Sequence, residues 1–257
     1  MMTEYAIPFH GVFCLKSPFS GRFRLNSLAT FIGNSKHMKS KILFFLIMIS
    51  VLSNSCTKEP AENNTYPTDG LVSYFNFDDN LADQVGSTPN GTNNGNASFV
   101  EGIAGKAISL NGSGQYIEFA RKSFRSGNIV SLSVWFKRTG NAGLYFLICN
   151  DFGAFTHSEG YAGMTISVPD TYNAHGTINR DEWTHLVGTY DGTNIKAYLN
   201  GVLQGTVSWP GNISGVDENL KVGMFFNEYW SGSVDDLFIY NKVLSQAEVD
   251  QLYNYHK

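Results

Sequence analysis

Apolar and polar residues alternate in short runs from residue 71 to residue 240, and this period of two constrains the fold most. Successive side chains of a β-strand point to opposite faces of a sheet, so such runs predict half-buried strands. In the run 131–137, for example, Leu132, Val134 and Phe136 share one face. The sequence therefore predicts an all-β domain, a sandwich of two antiparallel sheets with jelly-roll crossings.

Local signals add one turn and one helix to this sandwich. The Asn-Gly pair at 200–201 separates two alternating runs, and it favours a hairpin because both residues tolerate positive φ. Near the end of the chain, Ser245 and Glu248 have the spacing of a helix capping box, and Leu244 and Val249 have the spacing of a hydrophobic staple. We therefore expect a short C-terminal helix packed against the sandwich.

Residues 38–56, MKSKILFFLIMISVLSNSC, are similar to a bacterial lipoprotein signal. Lys39 and Lys41 precede an apolar run, 42–52, which is shorter than the roughly 20 residues that a spanning helix needs. The similarity implies cleavage before Cys56, which then carries the lipid. No aspartate follows Cys56, so the expected location is the outer membrane or the cell surface rather than the inner membrane.

The predicted signal and the predicted sandwich divide the rest of the chain into segments. Residues 1–37 have mixed composition without periodicity, and we expect them to be an extension upstream of a start at Met38. Residues 57–68 are polar and contain two prolines, which is typical of a flexible tether. The predicted sandwich occupies residues 69–257.

Composition excludes several classes of function. Charged residues make up 16% of the chain and the net charge is −4, so the basic surface that nucleic acid requires is not expected. The three cysteines, Cys14, Cys56 and Cys149, do not predict a disulfide framework. Cys149 lies in an apolar run and is expected to be a buried, unreactive thiol.

Four segments together resemble the laminin G-like, concanavalin A-like jelly-roll family. They are GLVSYFNFDDNLAD at 70–83, GIAGKAISLNGSGQY at 102–116, EWTHLVGTYDGTNIKAYLNG at 182–201, and the stretch 225–253 with GSVDDL and a leucine-serine pair. The resemblance implies the jelly-roll fold. It also implies a binding function, because related modules bind glycans or proteins through their surface loops.

The resemblance further implies a structural Ca²⁺ between the end of the first strand and the last strand. Asp78 follows the first predicted strand, and Asp235 is in phase with the apolar residues of the last one. Carboxylate oxygens are ligands that Ca²⁺ prefers, and a buried carboxylate requires a partner. The alternative is that Asp235 accepts backbone hydrogen bonds and Asp78 caps a turn.

If the chain binds glycans, we expect aromatic and amide side chains outside the regular strands. The rings would stack on sugars, and the amides would bind hydroxyl groups. The candidate ligand-binding residues are Asn150, Asp151, Trp209, Asn227, Tyr229 and Trp230. Burial of these aromatic residues in the core is the competing interpretation. A protein-binding or adhesion module is the alternative function.

A glycoside hydrolase is the least favoured alternative. Retaining hydrolases need two carboxyl groups about 5–5.5 Å apart, one as nucleophile and one as acid. The glutamates of the domain are isolated, and no Glu-x-Asp-x-Glu spacing or Gly-x-Ser-x-Gly turn occurs. The sequence therefore predicts a binding module without catalytic activity.

Overall fold

The computed structural model describes residues 65–86, 88–120, 124–140, 144–166, 172–213 and 219–256, without the side chains of residues 144–146, 149, 172 and 173. The predicted burial of Cys149 lies outside this description, as do residues 1–64, which include Cys56. The strands are β1 Leu71–Phe75, β2 Thr92–Asn94, β3 Ser98–Glu101, β4 Lys106–Asn111, β5 Tyr116–Phe119, β6 Val130–Arg138, β7 Leu144–Cys149, β8 Phe152–His157, β9 Tyr161–Ile166, β10 Tyr172–Thr177, β11 Trp183–Tyr190, β12 Asn194–Leu199, β13 Val202–Ser208, β14 Leu220–Val222, β15 Met224–Phe225, β16 Glu228–Tyr229 and β17 Ser231–Tyr240. They are followed by the helix α1, Gln246–Asn254.

Two antiparallel sheets form a sandwich, as predicted. The eight-stranded sheet has the order β13-β12-β11-β6-β17-β4-β3, and β1 pairs with β17 as well. The seven-stranded sheet has the order β10-β9-β8-β7-β14-β5-β2. Strands that are neighbours in the sheets are often distant in the sequence, which is the jelly-roll arrangement. The short strands β15 and β16 form a separate hairpin.

The core lies between the two sheets and follows the predicted alternation. Leu132, Val134 and Phe136 of β6 are fully buried and face the seven-stranded sheet, whose Phe152 and Ile117 lie in the same apolar cluster. Burying each such side chain contributes roughly 1.5–3 kcal/mol. The period-two pattern thus supplies the main driving force for the sandwich.

The predicted C-terminal helix covers the outer face of the eight-stranded sheet. The Ser245 hydroxyl accepts a hydrogen bond from the Glu248 amide, and the Glu248 carboxylate accepts one from the Ser245 amide, so the capping box is confirmed. Leu244 and Val249 are buried together in a second apolar cluster beneath this helix. Within the described part of the chain, no helix is both long and apolar enough to cross a bilayer.

The domain begins earlier than the predicted boundary at residue 69. The Tyr66 ring lies 5.2 Å from that of Tyr74, and the Pro67 carbonyl accepts a hydrogen bond of 3.0 Å from the Tyr240 hydroxyl. The Gln251 side chain of α1 donates to the Thr65 carbonyl at 2.9 Å. Aromatic packing and hydrogen bonds therefore hold residues 65–67 on the domain, and the predicted tether is too long at its C-terminal end.

Candidate functional site

The two ends of the sandwich differ in what they carry. Strands β7 and β8 pair with Leu144 opposite His157, so the turn at 150–151 lies at one end and His157 at the other. The amide of Gly223, which precedes the β15–β16 hairpin, donates to the Leu147 carbonyl at 2.8 Å. This contact places the hairpin on the His157 side. We call this side, with residues 139–140 and 157–160, the hairpin end.

Three predicted ligand-binding residues lie at the other end and have structural roles. Asn150 is buried, and the Asp151 carboxylate forms an ion pair of 2.6 Å with Arg125. Trp209 is half-buried, packs against the core and lies 5.5 Å from the Tyr190 ring. The predicted residues thus fall at two opposite ends, and they do not form one surface.

Trp230 was predicted to be an exposed ligand-binding residue, and its burial shows that this is wrong. Its side chain is only 2% exposed, and the indole Nε1 donates to the Thr156 hydroxyl at 2.9 Å. The Trp230 amide closes the hairpin by donating to the Gly223 carbonyl. This backbone contact directs the indole between the sheets, so a sugar ring cannot reach it.

The hairpin tip carries an exposed aromatic residue that the sequence did not single out. Phe226 is 71% exposed and has φ of 47°, and Asn227 after it has φ of 63°. Two central residues with positive φ form a type I′ turn, a position that Asn or Gly normally occupies. A bulky residue there stores roughly 1–3 kcal/mol of strain, which is typical of functional sites. Asn227, one of the predicted ligand-binding residues, is exposed beside it.

More aromatic side chains lie behind the tip. The Phe225 and Phe226 rings are 4.1 Å apart. The ring of Tyr229, another predicted residue, lies 6.3 Å from that of Tyr116. Tyr116 belongs to the outer face of the seven-stranded sheet, because its neighbour Ile117 points into the core. The hairpin therefore extends this outer face.

The same outer face carries a row of rings on β8, β9 and β10, which we call the aromatic band. His157 stacks on Tyr161 with 4.4 Å between centroids and 8° between planes, and the ring of His175 lies 4.7 Å from that of Tyr161. His157 and Tyr161 are partly exposed, and His175 is exposed. Burial and the charge of Glu159 raise the pKa of Tyr161, so its hydroxyl stays protonated at neutral pH. It can therefore donate and accept hydrogen bonds.

Between the hairpin and the aromatic band lies Arg138, the last residue of β6. It pairs across the sheet with Gly232, and its guanidinium donates to the His157 carbonyl. It is 5% exposed, and burial together with the positive charge of Arg180 lowers its pKa. Arg138 is on the same face of β6 as Val134 and Phe136, which is the face between the sheets. A charged residue at an apolar position of this alternation was the sequence signal that could have identified it.

The two predicted calcium ligands hold one loop, residues 102–106. The Lys106 amide donates to Asp78 Oδ1 at 2.7 Å, and the Ile103 amide donates to Asp235 Oδ2 at 2.9 Å. A Cβ at position 102 or 105, both glycine, would lie only about 2 Å from these carboxylate oxygens. The glycines therefore permit close approach of the loop to both carboxylates.

These contacts do not fit a calcium site at the pair. The second oxygen of Asp235 accepts from the Asp236 amide at 2.9 Å, and that of Asp78 accepts from the Asn76 side chain at 2.8 Å. Ca²⁺ requires six to eight oxygen ligands, whereas N–H donors surround these carboxylates. The described residues contain no cluster of three or more His, Cys, Asp or Glu that could hold a metal. Calcium at this pair is an untested prediction, and the contacts favour the alternative interpretation, in which both carboxylates anchor the loop by hydrogen bonds.

The adjacent carboxylates Asp235 and Asp236 lie where the register of β17 shifts, between Asp235 and Phe238. Burial and the charge of Asp236 raise the pKa of Asp235 to about 8. Asp236 accepts from the Tyr74 hydroxyl at 2.6 Å and lies 2.7 Å from His256 Nε2. Both carboxylates are almost inaccessible, so neither can reach a glycosidic bond of a bound glycan.

Comparison with known protein families gives a match. The model of the concanavalin A-like lectin/glucanases superfamily, laminin G type, matches residues 111–250, more than half of the 257-residue chain. No curated protein matches the sequence significantly.

Several solved structures share the fold at low sequence identity. Domain 4 of an extracellular arabinanase from Geobacillus stearothermophilus, in complex with arabinotriose, has a TM-score of 0.62 and 23% identity, covering 71% of this chain and 98% of that one. The botulinum neurotoxin serotype D ligand-binding domain, in complex with N-acetylneuraminic acid, has a TM-score of 0.59 and 17% identity, covering 72% and 50%. The botulinum neurotoxin DC binding domain, in complex with rat synaptotagmin II, has a TM-score of 0.60 and 15% identity, covering 74% and 52%.

At this low identity, the similarity to these structures shows only that the sandwich fold is shared. The chain spans about half the length of the toxin domains. The family model matches strands of both sheets and the start of the C-terminal helix. The chain belongs to the concanavalin A-like lectin/glucanase superfamily.

Proposed function

We propose that the chain is a non-catalytic carbohydrate-binding module that takes its ligand at the hairpin end. The exposure and strained backbone of Phe226 carry the proposal. An exposed aromatic ring held in an unfavourable conformation is costly for the free protein, and contact with a ligand offsets that cost. Sugar rings present apolar faces on which such a ring can stack.

Polar groups at the hairpin end suit sugar hydroxyls. Asn227 lies at the tip beside Phe226, and Asn94 lies opposite Tyr116 on the outer face of the seven-stranded sheet. Tyr161 adds a protonated hydroxyl on the aromatic band. Aromatic rings with a few amide and hydroxyl groups are the usual lining of a ligand site. The arabinotriose and N-acetylneuraminic acid held by structures of this fold give the proposal further support.

The absence of catalytic activity is part of the proposal. The buried pair Asp235–Asp236 is engaged by backbone amides, Tyr74 and His256, and it is nearly inaccessible to solvent. A hydrolase needs its acid and its nucleophile at the sugar. The binding surface proposed here is instead made of rings and amides.

We also propose that the protein is exported and anchored by lipid at Cys56, at the outer membrane or cell surface. The support is the sequence of residues 38–56. Eight residues separate Cys56 from Thr65, where the docked segment begins. Fully extended, this connection reaches about 30 Å, enough to hold the sandwich beside a membrane.

The direct test is a glycan-binding panel with the purified full chain. Phe226→Asn and Tyr229→Ala remove two rings of the hairpin end, and each is expected to weaken binding at least about 10-fold, or 1.4 kcal/mol. Val202→Thr removes an exposed apolar side chain from β13 of the other sheet and serves as the matched control. A wild-type chain that binds no sugar would contradict the proposal and favour the protein-binding alternative.

A further inference from the structure

Arg138 joins the two halves of the hairpin end. On one side it pairs with Gly232, next to the buried Trp230 that anchors the hairpin. On the other side its guanidinium donates to the carbonyl of His157, whose ring belongs to the aromatic band. A group bound at Arg138 would therefore lie between the two sets of rings that we propose for the sugar.

Arg138 has no ion-pair partner in the part of the chain that the structure describes, although the charge of Asp181 acts on it from farther away. Among the described residues, no carboxylate lies within ion-pair distance of its guanidinium, and its Nε is buried without a hydrogen-bond partner. Arg180, whose guanidinium donates to the Thr139 carbonyl at 2.7 Å, adds a second positive charge nearby. Asp181 opposes this charge only at longer range, and its amide donates to the Arg138 carbonyl.

A buried guanidinium is costly unless its donors are hydrogen-bonded, and an opposite charge at its accessible edge lowers that cost further. Arginine binds carboxylate, sulfate and phosphate groups well because its donors are held in a planar fork. The nearest carboxylate of the aromatic band, Glu159, is 75% exposed and lies 3.8 Å from the His157 ring rather than on Arg138. The surroundings thus favour an incoming anion.

We infer that the ligand of the hairpin end is an acidic glycan, whose carboxylate or sulfate ester binds at Arg138 and Arg180 while its sugar rings contact the aromatic residues. This inference rests on the proposed function for its sugar component. The anion site itself depends only on the two arginines. The two components can therefore be tested separately.

Inorganic sulfate tests the anion site without any sugar. Sodium sulfate should raise the melting temperature of the full chain by about 2 °C more than it raises that of Arg180→Ala. Arg180 is exposed, so this variant is expected to fold, and Arg138→Gln is the second variant. Lys196→Ala, a cation on β12 of the other sheet, should behave like the wild type. An equal sulfate effect in wild type and Arg180→Ala would overturn the anion site.

Paired glycans test the full inference. Uronate-containing oligosaccharides and their carboxyl-reduced forms distinguish a carboxylate, and sulfated oligosaccharides and their desulfated forms distinguish a sulfate ester. The acidic member of one pair should bind at least about 10-fold more tightly, and Arg180→Ala should remove this preference while leaving the neutral member unchanged. Equal binding of acidic and neutral members would overturn the inference.

The outcomes separate this inference from the proposed function. If Arg180→Ala removes the sulfate effect while Phe226→Asn and Tyr229→Ala leave glycan affinity intact, the anion site stands and the aromatic platform fails. If the aromatic variants lose binding while acidic and neutral sugars bind equally, the platform stands and the acidic ligand is wrong.

Discussion

The indole nitrogen of Trp230 donates a 2.9 Å hydrogen bond to the hydroxyl of Thr156, and this bond joins the base of the hairpin to the seven-stranded sheet. Trp230 precedes β17 of the other sheet, so the contact crosses the core. The tip with Phe226 therefore projects from a fixed base. A site held by packed residues loses less conformational entropy when it binds a ligand.

Trp230→Phe is expected to reduce the free energy of unfolding by about 2 kcal/mol, because it creates a cavity and leaves the Thr156 hydroxyl without its partner. Urea unfolding measures this change. Trp209→Phe, a half-buried site at the other end, should lose less. Unchanged stability with lost glycan affinity would contradict the assignment of Trp230 to the core.

Phe226→Asn should affect binding and stability in different directions. Asparagine tolerates the positive φ that strains Phe226, so the free energy of unfolding should stay the same or rise by up to about 1 kcal/mol. Thermal unfolding of both chains provides the measurement. A clear loss of stability would show that the ring supports the fold and is not held ready for a ligand.

Stability should fall as the pH rises from about 4 to about 8. Burial and the charge of Asp236 raise the pKa of Asp235 to about 8, against about 3.9 in an unfolded chain. The folded state therefore keeps a proton that the unfolded state releases in this window, and the free energy of unfolding decreases with pH. Asp235→Asn should flatten this dependence in urea unfolding measured across the window.

Exposed Asp250→Asn is the matched control and should keep the wild-type slope. Below about pH 4 the opposite effect is expected, because backbone hydrogen bonds lower the pKa of Asp83 despite its burial. A wild-type chain whose stability rises between pH 4 and pH 8 would contradict the assignment at Asp235.

EDTA distinguishes the two interpretations of Asp78 and Asp235. Because N–H donors surround both carboxylates, we expect the chelator to leave the melting temperature unchanged. A bound Ca²⁺ would stabilise the folded state by mass action. A fall of several degrees that CaCl₂ reverses would establish calcium and refute the role of these residues as loop anchors only.

Cys56→Ser should abolish lipid attachment. The wild type is expected to incorporate labelled fatty acid in bacterial cells and to fractionate with membranes, and the variant should do neither. Label retained by the variant would refute the anchor. Mass spectrometry of the expressed protein tests the extension as well, since a peptide from residues 1–37 would refute a start at Met38.

Regular parts of the fold were predictable because their signals are local. Alternation placed Leu132 and Phe136 in the core, and the capping box placed the start of α1 at the residue found. Asn200 and Gly201 both have positive φ, as their hairpin requires. In each case a few neighbouring residues determine the local structure. The alternation has the period of a strand, and the Asn-Gly pair has the backbone angles of its turn.

The site was less predictable because it is built from contacts between distant segments. Nothing near Trp230 in the sequence indicates that Thr156 lies within hydrogen-bonding distance of it. Phe226 has no pattern that marks it, since its importance lies in a backbone angle and in exposure. Arg138 could have been predicted in the same way as Asp235, because both are charged residues at positions where the alternation of the sequence calls for an apolar residue.

Hydrogen–deuterium exchange of the full chain, with and without the tightest-binding sugar of the panel, tests the location of the site most directly. We expect slower exchange in peptides covering 223–232 and 157–161, at the hairpin end. Protection confined to peptides covering 150–151 and 209–213, at the other end of the sandwich, would contradict it.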